Sequence, residues 1–332
     1  MGNIKVLDCT LRDGGYVNEW KFGFENAQSI ARLINETGVD YFETGFIKLC
    51  DYTKDVIQFN QMNQITQLFK PSSHRLSLIV EVGYGYPVTS FPERSDKTVD
   101  LVRVVMWKRM LKEGLDYCKE LKKRGYEVSV QATRIEQYSN DEFVGLVDMF
   151  NAVNPNALYI VDTFGLLTKE RLFEYAEIAD KKLNDGIVLG YHAHNNMQQA
   201  FSNAKAMCET QWEHDIMLDA SVMGMGRGAG NLCLELLLNY LNDRHGCNYT
   251  ISPLYEVADK YLKPFCQESA WGYSMPYMLS AINGRNPSYV HYMQHKGLSI
   301  KQMETLFELM REKGVGITFD TEMCDNMINE YI

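Results

Sequence analysis

Leu7-Asp8-Cys9-Thr10-Leu11-Arg12-Asp13-Gly14-Gly15 continues an apolar run (Ile4, Val6, Leu7) and closes on a glycine pair. A strand therefore ends here and delivers a cation and a carboxylate, side by side, to one rim of a sheet. Such a pair needs partners from elsewhere in the chain to make a site. Tyr191-His192-Ala193-His194-Asn195 and Gly228-Ala229-Gly230-Asn231 supply them.

Outward from that stretch, apolar segments rich in β-branched residues recur at 4–10, 41–47, 76–83, 101–107, 127–133, 157–162, 187–192 and 216–223. Helix-like stretches lie between them. In 24–37, Phe24, Ala27, Ile30, Ala31 and Ile34 fall on one face of a 3.6-residue repeat. Gly38 and Gly125 stand where helices should stop. Eight strand–helix units at a spacing of roughly 30 residues give an α/β fold, a TIM (β/α)8 barrel of about 250 residues. A doubly wound open sheet usually has fewer strands, and its crevice comes at a mid-sheet switch point.

Residues 84–100, rich in Gly, Tyr, Pro and Ser, are too many for a simple turn. They read as a lid or loop on the active-site side, with an irregular loop of no function as the alternative. Beyond Arg244 the strands cease. Stretches 251–262, 274–283, 287–296, 299–313 and 321–331 read as short helices. The expected organisation is a barrel catalytic domain over 1–244 and an all-helical C-terminal domain over 245–332.

Composition narrows the class. In 332 residues, 45% are apolar and 23% charged, as in soluble globular proteins. A net charge of -10 argues against nucleic acid or an anionic membrane as the main partner. The eight cysteines are scattered without a C-x-x-C pair, which fits reduced thiols in a cytoplasmic protein. No apolar run approaches bilayer length, and the N-terminus reads as a strand rather than a signal peptide. Val6 stands where a myristoylation signal requires Ser or Thr.

In a closed barrel strand eight lies beside strands seven and one. Arg12, Asp13, His192, His194 and Asn231 then share the C-terminal rim, where barrel enzymes keep their chemistry. His192 and His194 are two apart on a strand, so both rings point to one side. Two imidazoles, a carboxylate and an amide oxygen suit a divalent ion with open positions. Glu43, in an apolar strand, needs a partner, and Arg12 is the obvious one. Asp162 and Thr163 end strand six, where they orient a substrate or cap a helix. Gly224-x-Gly226-x-x-Ala229 imitates a dinucleotide fingerprint but closes the last unit, where a Rossmann fold wants it in the first. Its glycines are read as allowing close approach to a ligand, with Gly228 at the substrate and Asn231 at the metal.

With those residues in place, the chain resembles the metallolyase superfamily of hydroxymethylglutaryl-CoA lyase, isopropylmalate synthase and, nearest, the 4-hydroxy-2-oxovalerate aldolases. The matching motifs are Asp8-x-Thr10-Leu11-Arg12-Asp13-Gly14, Glu43 with Gly45, His192-x-His194-Asn195 and Gly228-Ala229-Gly230-Asn231. They span the barrel in the right order. Gly272-Tyr273-x-x-x-Tyr277 and the helices after it are loosely similar to the aldolases' C-terminal domain.

The resemblance implies Asp13, His192, His194 and Asn231 as ligands of a divalent metal, Mn2+ foremost, with Mg2+ or Zn2+ as alternatives. It implies cleavage of a 4-hydroxy-2-oxo acid to pyruvate and an aldehyde through a metal-stabilised enolate. Arg12 would steady the enolate oxygen, Glu43 would hold Arg12, and Tyr277 or Tyr273 would supply a proton to the enolate. It also implies a homo-oligomer and an acylating aldehyde dehydrogenase as partner.

One departure stands out: the aldolases carry a histidine base where this chain has Tyr16, whose phenol ordinarily titrates near 10. Tyr16 activated by the metal or Arg12, a water, or a different reaction are the options. His74 and His214 fall on the far rim, and His245, His291 and His295 in or near the helical appendage. Two alternatives stay open: an acyl-CoA-using Claisen-type lyase or synthase on the same barrel, and a metal-binding regulatory protein without a base.

Overall fold

The computed structural model describes residues 2–69 and 75–332. Eight parallel strands form the barrel: β1 (Ile4–Asp8), β2 (Tyr41–Ile47), β3 (Arg75–Glu81), β4 (Leu101–Met106), β5 (Glu127–Ala132), β6 (Ala157–Asp162), β7 (Val188–Ala193) and β8 (Ile216–Ala220). The ring closes because β1 pairs with β2 on one side, Leu7 opposite Tyr41, and with β8 on the other, Ile4 opposite Ile216. A two-residue strand, Gln58–Phe59, adds to the end of β2. The expected TIM barrel is what the chain forms.

Helices pack outside through the faces their spacing predicts. In Phe24–Asn35, Ala27, Ile30, Ala31, Leu33 and Ile34 are buried. Asn140–Asn151 begins at a capping box in which Ser139 and Glu142 satisfy each other's backbone N–H groups. The third unit departs from the pattern. Between β3 and β4 there is only a single 3-10 turn, Val88–Ser90. Phe91 is buried there against the rings of Tyr86, Tyr117 and Tyr126. Residues 84–100 thus take the place of an outer helix rather than forming a lid, and only Tyr84 of them reaches the main cavity.

Residues two apart on each strand share a side. Leu7, Tyr41, Leu101, Ala157, Tyr159, Val188 and Met217 cluster inside the lower barrel. Glu43, Arg103 and Asp219 follow two residues on, and His192 four beyond Val188, so the interior becomes charged towards the C-terminal rim. Gly190 makes room for this layer: a Cβ there would lie 2.3 Å from the ring of Tyr159.

After the last barrel helix, Leu234–His245, the chain is helical to its end. The expected division at 244/245 differs from the packing. Leu254, Val257 and Leu262 belong to the barrel's apolar cluster, with Phe265 and Trp271 against it. A separate cluster runs from Leu279 to Met327 and includes Tyr289, Phe307 and Met310. The helical region's own apolar cluster therefore starts beyond Trp271. Among the described residues no helix is long and apolar enough to cross a membrane. All eight cysteines are free thiols.

Candidate active site

Arg12 and Asp13 sit in a single helical turn, Thr10–Asp13, immediately after β1. Asp8 holds that turn: its carboxylate accepts from the Thr10 hydroxyl at 2.6 Å and the Thr10 N–H at 3.1 Å. The same hydroxyl accepts from the N–H of Val222, 2.9 Å away, and ties the loop after β8 to the end of β1. Asn231 reaches the site through that loop. Gly226 permits it, since a Cβ at Gly226 would lie 2.4 Å from the Asn231 amide nitrogen. The close approach is to this side chain.

Asp13, His192 and His194 converge. Asp13 Oδ2 lies 3.7 Å from His192 Nε2 and 3.6 Å from His194 Nε2. The three donor atoms lie within 4.8 Å of one another. Each ring is oriented from behind. His194 Nδ1 is 3.0 Å from the carbonyl of Asp162, which can only accept, so Nδ1 carries the proton and Nε2 a free lone pair. His192 Nδ1 is 2.8 Å from Asp219 Oδ2, and the same logic frees its Nε2. Burial lowers the pKa of His194 to about 4, leaving it neutral at physiological pH. Burial works against ionisation of Asp13, but Arg12 and the two imidazoles outweigh it and hold its carboxyl below the ordinary range.

The donor set fits a divalent cation. Asp13 Oδ2 and Asn231 Oδ1 are both buried without a hydrogen-bond partner among the described residues. A buried acceptor without a donor is costly unless a cation meets it.

Behind these groups runs an ionic chain. Arg12 Nε donates to Glu43 Oε2 at 2.6 Å, and Arg12 Nη1 to Asp13 Oδ1 at 2.6 Å. Arg103, fully buried, donates to Glu43 Oε1 at 2.7 Å and bonds Asp219 through its other nitrogen. The Tyr159 hydroxyl donates to Asp219 Oδ1 at 2.9 Å. The Glu43–Arg12 pairing is the expected one. Arg103, Asp219 and Tyr159 are not among the expected site residues, although Arg103 and Asp219 carry the same signal as Glu43, a charge inside an apolar strand.

A cavity of about 380 Å3 opens over Arg12, Asp13, His192 and His194, with Tyr16, Glu81, Thr163 and Arg134 also on its wall. Three expected substrate or catalytic groups are placed elsewhere. The Asp162 carboxylate accepts from the N–H groups of Leu166 and Leu167 at 2.8 and 3.1 Å, so it closes its own loop. Gly228 and Tyr277 line a neighbouring cavity, and the next N–H, that of Ala229, donates to Asn196 Oδ1 at 3.0 Å. Thr163 does face the main cavity, and its hydroxyl accepts from the Arg134 N–H at 2.7 Å.

Tyr16 stands at the mouth, 41% exposed, and burial of its ring by the rim pushes the phenol up to about 12. Glu81, which ends β3 and went unremarked in the sequence, accepts from Trp107 Nε1 at 2.8 Å, and burial raises its pKa. His214 lies on the far rim, 2.8 Å through Nδ1 from the carbonyl of Ile187. His74 lies outside the described residues. His291 and His295 face the neighbouring cavity.

The family model described as HMGL-like matches residues 3–259. A 4-hydroxy-2-oxovalerate aldolase of Bacillus cereus is 25% identical over 332 residues, covering 94% of this chain and 92% of the relative. An oxaloacetate decarboxylase of Mycobacterium tuberculosis is 25% identical over 246 residues, covering 72% and 70%. Among solved structures, the N-terminal domain of a protein described as an aldolase, from Bacteroides vulgatus, superposes with a TM-score of 0.71 at 25% identity. That match covers 90% of this chain and 98% of the other.

Proposed function

Because this chain belongs to the HMGL-like family and is an aldolase-type carbon–carbon lyase, we propose that it cleaves a 4-hydroxy-2-oxo acid to pyruvate and an aldehyde. The observation that carries this reading is the unpartnered Asp13 oxygen facing two imidazole Nε2 atoms at 3.6 and 3.7 Å, with Arg12 bonded to the other carboxylate oxygen. Asp13, His192 and His194 would hold a divalent cation, with Asn231 Oδ1 as a further donor. Bound there, Mn2+ (or Mg2+ or Zn2+) would supply Lewis-acid polarisation of the 2-oxo acid.

The remaining roles belong to the chain itself. Arg12 uses one N–H on Glu43 and one on Asp13, leaving three of its five to donate to the oxygen that gains charge as the enolate forms. Glu43 keeps Arg12 in place, and Thr163 orients the substrate. The 4-hydroxyl proton goes to Glu81, whose raised pKa brings it nearer the working pH of a base. The C3–C4 bond then breaks, its electron pair becomes the enolate double bond, an aldehyde leaves, and the proton held by Glu81 passes to C3 to give pyruvate and restore the base. Tyr16, protonated, donates to the departing oxygen.

Tyr16 also favours a second reading, decarboxylation of a 2-oxo acid with a 4-carboxylate, because loss of carbon dioxide needs no acceptor for a hydroxyl proton. Pyruvate release from a series of 4-hydroxy-2-oxo acids with Mn2+ tests the first reading, and carbon dioxide release from oxaloacetate the second. Absence of both, with metal binding intact, would leave a non-catalytic metal-binding protein. His192→Ala should lose metal binding and activity together; full activity in that variant would remove the site.

A further inference from the structure

Two arginines line the cavity over Asp13, and among the described residues neither forms a salt bridge. Arg134 follows β5, and Arg227 lies in the loop after β8. Arg134 is 8% exposed. One of its nitrogens donates to the carbonyl of Ile317 at 2.8 Å, while its Nε is buried with no hydrogen-bond partner. Its guanidinium carbon lies 4.6 Å from the centre of the Trp107 ring and 5.0 Å from that of Phe164, and both rings line the same cavity. Arg227 bonds Asn286 and, at 2.6 Å, the hydroxyl of Ser288, and lies 5.4 Å from the centre of the Tyr16 ring. Among the described residues neither arginine forms an ion pair.

Burial and the neighbouring cations Arg285, Arg227 and Arg109 pull Arg134 down to about 10. Glu136 pulls the other way, but burial pushes Glu136 itself up to about 8, so it is a weak counter-charge at neutrality. A buried guanidinium without an anion is costly, and a ligand that brings the anion removes that cost. Arg12 cannot serve in this way, because Glu43 and Asp13 already neutralise it.

We propose that Arg134 and Arg227 form a subsite for an anionic terminus, so that the substrate carries a carboxylate or phosphate at its aldehyde end. This rests on the reading that the 2-oxo acid head group sits at Asp13, His192 and His194. In cleavage, the 4-hydroxyl loses its proton, the C3–C4 bond breaks, and its electrons form the C2=C3 bond of the pyruvate enolate. The aldehyde carries the second anion away. Arginine's fork is the natural receptor for either anion.

The test uses the Mn2+-loaded enzyme in the condensation direction with pyruvate and three aldehydes: butanal, succinic semialdehyde and glyceraldehyde 3-phosphate. An anionic aldehyde should exceed butanal in kcat/KM by roughly tenfold or more, and which of the two leads distinguishes carboxylate from phosphate. Arg134→Gln should collapse that ratio. Arg227→Gln, at a half-buried position, serves where Arg134→Gln does not fold. Equal preference for all three, or a loss that leaves the ratio unchanged, would show only a clamp on the appendage and overturn the proposal. Titration of metal-free protein with succinate and with inorganic phosphate decides independently: binding lost in either variant supports the subsite, and no binding by the native chain overturns it. Deuterium exchange into the methyl group of pyruvate reports the head-group site alone. Exchange without anion preference sinks the subsite, whereas absent exchange sinks the head-group reading.

Discussion

Asp219 Oδ2 lies 2.8 Å behind His192 Nδ1, on the side of the ring away from Asp13. The carboxylate therefore fixes the proton on Nδ1 and turns Nε2 towards Asp13. Carboxylates in this position typically contribute roughly 10–100-fold to metal affinity. Asp219→Asn should weaken Mn2+ binding by about that factor, read by calorimetric titration. Undiminished affinity would mean that His192 is not a ligand.

Arg103 is the keystone of the buried charges, since Glu43 and Asp219 both lean on it with no solvent access. Removing one member of a buried ionic group leaves the others uncompensated, at a cost of about 3–5 kcal/mol. Arg103→Met should lower stability by that order in urea unfolding. Adding Glu43→Gln and Asp219→Asn should restore part of the loss, because the unpaired charges go too. A midpoint unmoved by Arg103→Met would show that water relieves these carboxylates.

The barrel was legible because parallel strands covered on both faces read as near-continuous apolar runs. The Asp13, His192 and His194 cluster was legible because each motif is local and strand parity places the two rings together. Arg103 was not, because its partners are 60 and 116 residues away and only the closed ring brings them opposite. Arg134 fails for a related reason: its carbonyl partner lies in the appendage, at Ile317. The stretch 84–100 misled because loop composition says nothing of where a segment packs, and Phe91 packs against the side of the barrel. Asp162 was read as either orienting a substrate or serving its own backbone, and its carboxylate does bond the N–H groups of Leu166 and Leu167.

Asp8 should make stability depend on pH. Burial pushes it up to about 7, with the Thr10 hydrogen bonds partly opposing. Unfolded, it titrates near 3.9. The folded state thus keeps a proton that the unfolded state releases. The associated stability is complete below about pH 4, is lost as pH rises towards 7 and stays lost above it. The gap limits the effect to roughly 4 kcal/mol. Asp8→Asn should flatten this part of the curve, and parallel curves for the two proteins in urea between those limits would show that Asp8 does not titrate there.

Glu81 and Tyr16 face the same cavity, and burial raises both, the carboxyl towards the working range of a base and the phenol to about 12. General-base removal typically costs about 10²–10⁴-fold in rate. Glu81→Gln should therefore lose cleavage of 4-hydroxy-2-oxo acids by that order. It should keep the greater part of any oxaloacetate decarboxylation, where no hydroxyl proton departs. Tyr16→Phe should cost less, since it removes one hydrogen bond to the departing oxygen and leaves the base in place. The reverse ranking, with Tyr16→Phe inactive and Glu81→Gln turning over, would make the phenol the proton acceptor. Arg227, the first of the cations that oppose the effect of burial on the phenol, would then have to lower it far more than it does in this structure.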